Sequence, residues 1–222
     1  MPASTVGVAR LLSDTLANVS CTVVGDDSEL NWALADVLGR RIGYTATRTA
    51  KIIAGTSKVA DISTLSREAL VASEAGVLKG LRTQSRVVSG TLGSGATSLP
   101  ETYDNLYGSF ILWVDEVDSN SSTLATPARR LFEANSDIRV RIRKAGRGFA
   151  ASQPTTPEER VTAVIEAILV QLNDHVAERL ELIARKQQYV RLGCRGDWPL
   201  LQPAGWTPVL EKLERPAPEL PL

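Results

Sequence analysis

The chain has 222 residues, of which 43% are apolar and 23% charged, and Lys plus Arg (25) equals Asp plus Glu (25). These proportions exclude a disordered tail or a fibrous repeat, and zero net charge provides no field toward nucleic acid or an anionic membrane surface. Two cysteines, Cys21 and Cys194, are too few for a disulfide framework or a zinc cluster, and the single His175 leaves little room for histidine-based catalysis.

No apolar run approaches the roughly 20 residues that cross a bilayer. Met1 to Gly7 lacks the basic start and apolar stretch of a secretory signal, and also the long Arg- and Ser-rich stretch of a transit peptide. The expectation is a cytosolic protein or one whose transit peptide has been removed.

In chain order, Val8, Leu11, Leu12, Leu16 and Val19 recur at helical spacing and predict an amphipathic helix over about 6–18. Cys21 to Val24 is β-branched and apolar and stops at Gly25, the pattern of a buried strand. Ser28 is the expected N-cap of a helix carrying Leu30, Ala33, Leu34, Val37 and Leu38, with Gly39 as its C-cap. Arg41 to Tyr44 reads as a second short strand. Helical spacing returns across Leu65, Leu70, Val71, Val77, Leu78 and Leu81, capped by Ser63 or Thr64.

Arg86 to Ser89 reads as the next strand, opening into a turn that contains Gly90, Gly93 and Gly95. Ser109 to Val114 is a near-continuous apolar run, as in a central parallel strand covered on both faces. Asp118 to Ser122 reads as a loop. Ile138 to Ile142 alternates with period two and predicts an edge strand with Arg139 and Arg141 on its solvated face. With Arg143, Lys144 and Arg147 these form a local basic cluster. Thr156, Pro157 and Glu159 mark a helix start, with Val161, Val164, Ile165, Ile168, Leu169 and Leu172 on the packed face to about Gln171 or further. Strands alternating with helices indicate a parallel, doubly wound sheet.

The strand–turn–helix unit over Thr22–Leu38 is where an α/β protein would hold a nucleotide phosphate. That chemistry needs small residues whose backbone amides converge, a lysine for the β/γ-phosphates and a hydroxyl for magnesium. Residues 25–32 instead offer one glycine, no lysine and three acids, Asp26, Asp27 and Glu29. Each acid close to a phosphate would repel it by about 1–4 kcal/mol, depending on the local dielectric. Acids capping a helix are the simpler reading.

Val23-Val-Gly25, Leu34 to Leu38, Ile42-Gly-Tyr44, Ser73 to Leu81, Arg86 to Ser89 and Phe110 to Val114, in that order, resemble the shikimate kinase core. Tyr189 to Pro199 with Pro203 to Pro208 resembles more closely the shikimate-kinase-like proteins of plant and algal chloroplasts that are regarded as inactive.

The resemblance implies a three-layer, P-loop-kinase-like parallel sheet with a degenerate phosphate loop, a shortened lid and an extra C-terminal extension. It divides the chain into a domain over 1–187 and an extension over 188–222. It also implies a chloroplast location.

The departures from the family pattern are as informative as the matches. The phosphate loop is short and lacks its lysine. Thr45 and Thr47 stand where an acidic pair would hold magnesium and substrate hydroxyls. A substrate-binding arginine falls near Val71, although Glu74 is present. The triple glycine is broken into Gly90, Gly93 and Gly95. About 15 residues separate Trp113 from Arg129, too few for the family's helix and arginine-bearing lid. Arg129 or Arg130, with Phe132 and Asp137, is what survives of the substrate side.

Phosphoryl transfer is almost wholly positioning and charge stabilisation, so these losses imply a pseudoenzyme with no catalytic residue, cofactor or metal site. The expected role is a structural or interaction subunit in a larger protein assembly. Arg191, Arg195, Trp198 and Trp206 of the tail are the candidate partner-binding residues, because Trp and Arg dominate interface hot spots. Two alternatives remain at this level: a sensor that binds a small molecule or anion around Arg129 and Gly93, and a residual shikimate kinase using ATP.

Overall fold

The computed structural model describes residues 16, 18–56, 62–93, 106, 108–117, 136–143, 156–174, 181 and 184. Among these residues five strands form one parallel sheet: β1 (Cys21–Gly25), β2 (Thr45–Arg48), β3 (Val87–Gly90), β4 (Phe110–Val117) and β5 (Ile138–Arg143). Their spatial order is β2-β3-β1-β4-β5, with Gly25 opposite Val114 and Val23 opposite both Gly90 and Leu112. The chain thus leaves β1 toward one side of the sheet and later returns to the other. This topological switch point opens at the carboxyl ends of the strands, where open α/β sheets bind ligands.

Side chains alternate across the pleat, so one strand supplies both cores. Val23, Val88, Leu112, Val114, Ile138 and Val140 pack under helices α1 (Ser28–Ile42) and α4 (Pro157–Asp174). Val24, Ile111 and Trp113 point the other way and pack with Leu78 and Leu81 of helix α3 (Arg67–Leu81) and with Leu106. Leu34 and Val164 are fully buried, and burial of such a side chain contributes about 1.5–3 kcal/mol.

Several element ends differ from the sequence expectation. Asp27 rather than Ser28 is the N-cap of α1, because its carboxylate accepts from Glu29 N and Leu30 N. The helix also runs through Gly39 to Ile42. It stops at Gly43, whose φ of +71° closes the helix by sending the Gly43 amide back to Gly39 O. Tyr44 N bonds the same carbonyl at 2.8 Å, so residues 41–44 complete a helix end and the strand begins only at Thr45.

A short helix α2 (Thr49–Thr56) follows β2 directly and has no counterpart in the periodicity reading. Ser66, not Ser63 or Thr64, caps α3, its Oγ accepting from Ala69 N at 3.2 Å; Ile62–Thr64 form a 3-10 turn instead.

Other expectations hold. β4 is an interior strand with both faces covered, and among the described residues β5 is an edge. The start of α4 is a reciprocal capping box: Glu159 N donates to Thr156 Oγ1 at 3.2 Å, and Thr156 N to Glu159 Oε2 at 3.1 Å. Of the predicted helix over 6–18, only Leu16, which is buried, and Asn18 are among the described residues. The loop over Asp118–Ser122 lies outside them.

Candidate functional site

At the carboxyl end of β1 the chain passes from strand to helix through only Asp26 and Asp27. The first-turn amides of α1 are the groups that a helix N-terminus would offer to a phosphate. Here they already have an acceptor. Asp27 Oδ1 takes the hydrogen bonds of Glu29 N at 2.9 Å and Leu30 N at 3.1 Å. Asp27 Oδ2 stands 3.7 Å from Arg160 Nη1 of α4. The carboxylate therefore occupies the positive end of the helix.

Glu29 is held on the outside by a two-pronged pair with Arg48 at 2.9 and 3.2 Å, and the Arg48 guanidinium lies 4.8 Å from the centre of the Trp32 ring. That pair is exposed and worth at most about 1 kcal/mol.

The loop after β3 closes the remaining space. Asn31, fully buried on α1, sends Nδ2 toward Gly25 O at 3.1 Å, Thr91 O at 3.3 Å and Thr91 Oγ1 at 3.2 Å. Gly93 has φ of +93°, and a Cβ there would lie 2.6 Å from Asp26 O, so the loop sits directly on the turn after β1. Its amides point inward: Thr91 N donates to Val23 O at 3.2 Å and Leu92 N to Glu74 Oε1 at 2.7 Å. Among the described residues, the groups that would receive a triphosphate are already engaged. The helix amides are capped by a carboxylate, the amides of Thr91 and Leu92 are engaged, and the turn is too short to form a cradle.

Glu74 of α3 anchors this loop from the other side of the sheet. It is 1% exposed and accepts from Thr49 Oγ1 at 2.6 Å as well as from Leu92 N. Burial raises its carboxyl above the usual glutamate range, against the opposing pull of those two donors. Its second oxygen, Oε2, has no hydrogen-bond partner among the described residues. Thr49 Oγ1 also lies 3.3 Å from Gly90 O.

Neither Asn31 nor Thr49 stood out in the sequence. For Asn31 a signal existed, since it lies three, four and seven residues before Leu34, Ala35 and Leu38, on the apolar stripe of its own helix. A polar residue there must find buried partners. Thr49 carried no comparable signal, because its helix was not anticipated.

At the far edge the arginines of β5 depart from the solvated reading. Arg139 is 5% exposed and Arg141 partly buried, and both face Asp115 of β4, at 3.5 and 3.4 Å. Gln171 of α4 donates to Arg139 O at 2.5 Å. Arg139 therefore belongs to the interior beneath the sheet edge, since its strand neighbour carries the carboxylate that makes its burial tolerable.

Asp137 is likewise a strut. Its carboxylate accepts from Ile111 N at 2.6 Å and its own amide donates to Ile111 O at 2.9 Å, which links β4 to the start of β5. It is fully buried and has no free face toward a substrate. Val71, near which the resemblance would put an arginine, is a buried core residue of α3, and Thr45 and Thr47 lie on β2, an edge strand among the described residues.

Arg129, Arg130, Phe132, Gly95, Lys144, Arg147 and His175 lie outside the described residues. So do Cys194 and the proposed partner-binding set Arg191, Arg195, Trp198 and Trp206.

In a comparison with solved structures, shikimate kinase from Aquifex aeolicus superposes with a TM-score of 0.51 at 15% identity, over 71% of this chain and 98% of that one. The chain has the shikimate kinase fold. No family model matches it. In sequence it is 28% identical, over 216 residues and 92% of its length, to an Arabidopsis thaliana protein named "Probable inactive shikimate kinase like 2, chloroplastic". The chain spans about half, 52%, of that relative's length. The fold and the resemblance expected from the quoted segments agree with these two findings, and the expected plastid location agrees with the relative's name.

Proposed function

We propose that the chain is a catalytically inactive, shikimate-kinase-like protein of the chloroplast that acts by binding a protein partner. The observation carrying this reading is the Asp27 carboxylate on the first-turn amides of α1, at 2.9 and 3.1 Å. Phosphoryl transfer depends on that helix end, a lysine and metal-binding acids to hold the nucleotide. This chain has a carboxylate at the first, no lysine in residues 25–32, and Thr45 and Thr47 in place of the acids. The name of the Arabidopsis relative supports the same reading.

What the fold retains is a parallel sheet packed on both faces, which suits a scaffold. The tail residues Arg191, Arg195, Trp198 and Trp206 are the proposed contact points, from their chemistry alone.

Two measurements test the proposal. Purified protein with ATP and shikimate should transfer no phosphate. In a native plastid extract, the protein should elute well above its own monomer mass, and a variant with Trp198→Ala and Trp206→Ala should return to monomer size. Measurable shikimate phosphorylation, or monomer-size elution of the unaltered protein, would overturn it.

A further inference from the structure

Among the described residues, Glu74 is a buried carboxyl that the proposed scaffold role does not use. Three short contacts meet there. Thr49 Oγ1 is 2.6 Å from Glu74 Oε1 and 3.3 Å from Gly90 O, and Leu92 N is 2.7 Å from the same Oε1. A threonine hydroxyl has one proton. When Glu74 is ionised that proton must point at the carboxylate, which leaves Gly90 O without it. When Glu74 is neutral, its own hydroxyl can donate to Thr49 Oγ1, and the threonine proton is free to turn to Gly90 O.

We propose that Glu74 and Thr49 form a proton-dependent latch on the Thr91–Gly93 loop, closed when Glu74 is neutral and loosened when it ionises. The neutral state makes a continuous chain from Glu74 through Thr49 to the Gly90 carbonyl. The ionised state places a charge at a position 1% exposed with Oε2 unpartnered. Such a charge favours any conformation that lets water in.

Among the described residues, the groups packed nearby supply no compensating cation. On α2, Lys51 is exposed; at the end of β2, Arg48 is committed to Glu29 and Trp32. On α3 itself Arg67, Glu68 and Lys79 are exposed, and among the described residues the facing loop contributes the Leu92 amide. On α1, Asn31 holds the loop from the opposite side as a neutral amide. The loop is thus tied by two helices, and one of the two ties can titrate.

The latch is independent of any nucleotide and of any partner. Its readout is the protection of the Leu92 amide against hydrogen exchange in the full chain, corrected for the intrinsic pH dependence of exchange. With unaltered protein the protection should fall as pH rises, by at most about tenfold per pH unit for one proton, starting where an exposed glutamate ionises and levelling off where the buried group does.

Glu74→Gln cannot ionise and should give a flat profile. Thr49→Val removes a donor that favours the charged form, so the levelling point should move to higher pH. A residue with a purely structural role would lower protection equally at every pH. Three results would each overturn the proposal: a flat profile in the unaltered protein, a falling profile in Glu74→Gln, or an unmoved levelling point in Thr49→Val.

Discussion

Replacing Asn31 by alanine tests whether the phosphate site is closed by a hydrogen-bonded plug or merely by crowding. The side chain is fully buried, and its Nδ2 approaches Gly25 O, Thr91 O and Thr91 Oγ1 at 3.1 to 3.3 Å. Alanine removes two amide hydrogens, worth about 1 kcal/mol each, and leaves buried carbonyl groups short of a donor at about 1–3 kcal/mol. The expected loss is about 3–5 kcal/mol. With a urea slope of about 2–3 kcal/mol per molar, the unfolding midpoint should fall by about 1–2 M.

Asn31→Asp separates the two explanations, because it keeps the shape and exchanges a donor for an acceptor. At neutral pH it would face the same oxygens with a carboxylate and should be less stable than the alanine variant. On acidification its own hydroxyl can donate again, and stability should recover relative to alanine. A midpoint shift below about 0.2 M for alanine, or an aspartate variant indistinguishable from alanine at every pH, would refute the plug.

Four further outcomes are expected. Asp27→Ala should cost about 1 kcal/mol through the lost cap, and calorimetry with ATP should remain flat even with the amides freed, since the turn length is unchanged. Gly93→Ala should cost about 1–3 kcal/mol in chemical denaturation, because the new Cβ meets Asp26 O in a backbone region where L-residues are strained. Asp115→Ala should cost about 3–5 kcal/mol by leaving Arg139 buried beside a missing carboxylate, whereas Arg40→Ala, from the exposed Asp36 pair, should change stability by less than 1 kcal/mol.

The last concerns Glu74, whose raised carboxyl means that the folded chain keeps this proton to higher pH than the unfolded chain does. Its contribution to stability should therefore decline as pH rises from the ordinary glutamate range, about 4.3, to the buried group's own ionisation, and stay constant above. Urea midpoints of unaltered protein relative to Glu74→Gln should decline over the same window and nowhere else.

The alternation of strands and helices was written in the residues. Cys21 to Val24, stopping at Gly25, reads as a short buried strand, the run Ser109 to Val114 as a strand covered on both faces, and Thr156 to Glu159 announces a helix through local capping chemistry. Local interactions decide such features, so local sequence carries them. The absence of a phosphate-binding lysine and the crowd of acids beside Gly25 were equally plain.

Tertiary contacts decided the rest. Gly39 has the composition of a helix terminus, yet its carbonyl is used by the amides of Gly43 and Tyr44, so the helix continues past it. Arg139 alternates like a solvated residue, but Asp115 lies on the neighbouring strand, 24 positions earlier, and draws it inside. Asn31, Glu74 and Thr91 come from three separate elements. That they meet over one turn and close it depends on the order of strands in the sheet, a property that no single stretch of chain encodes.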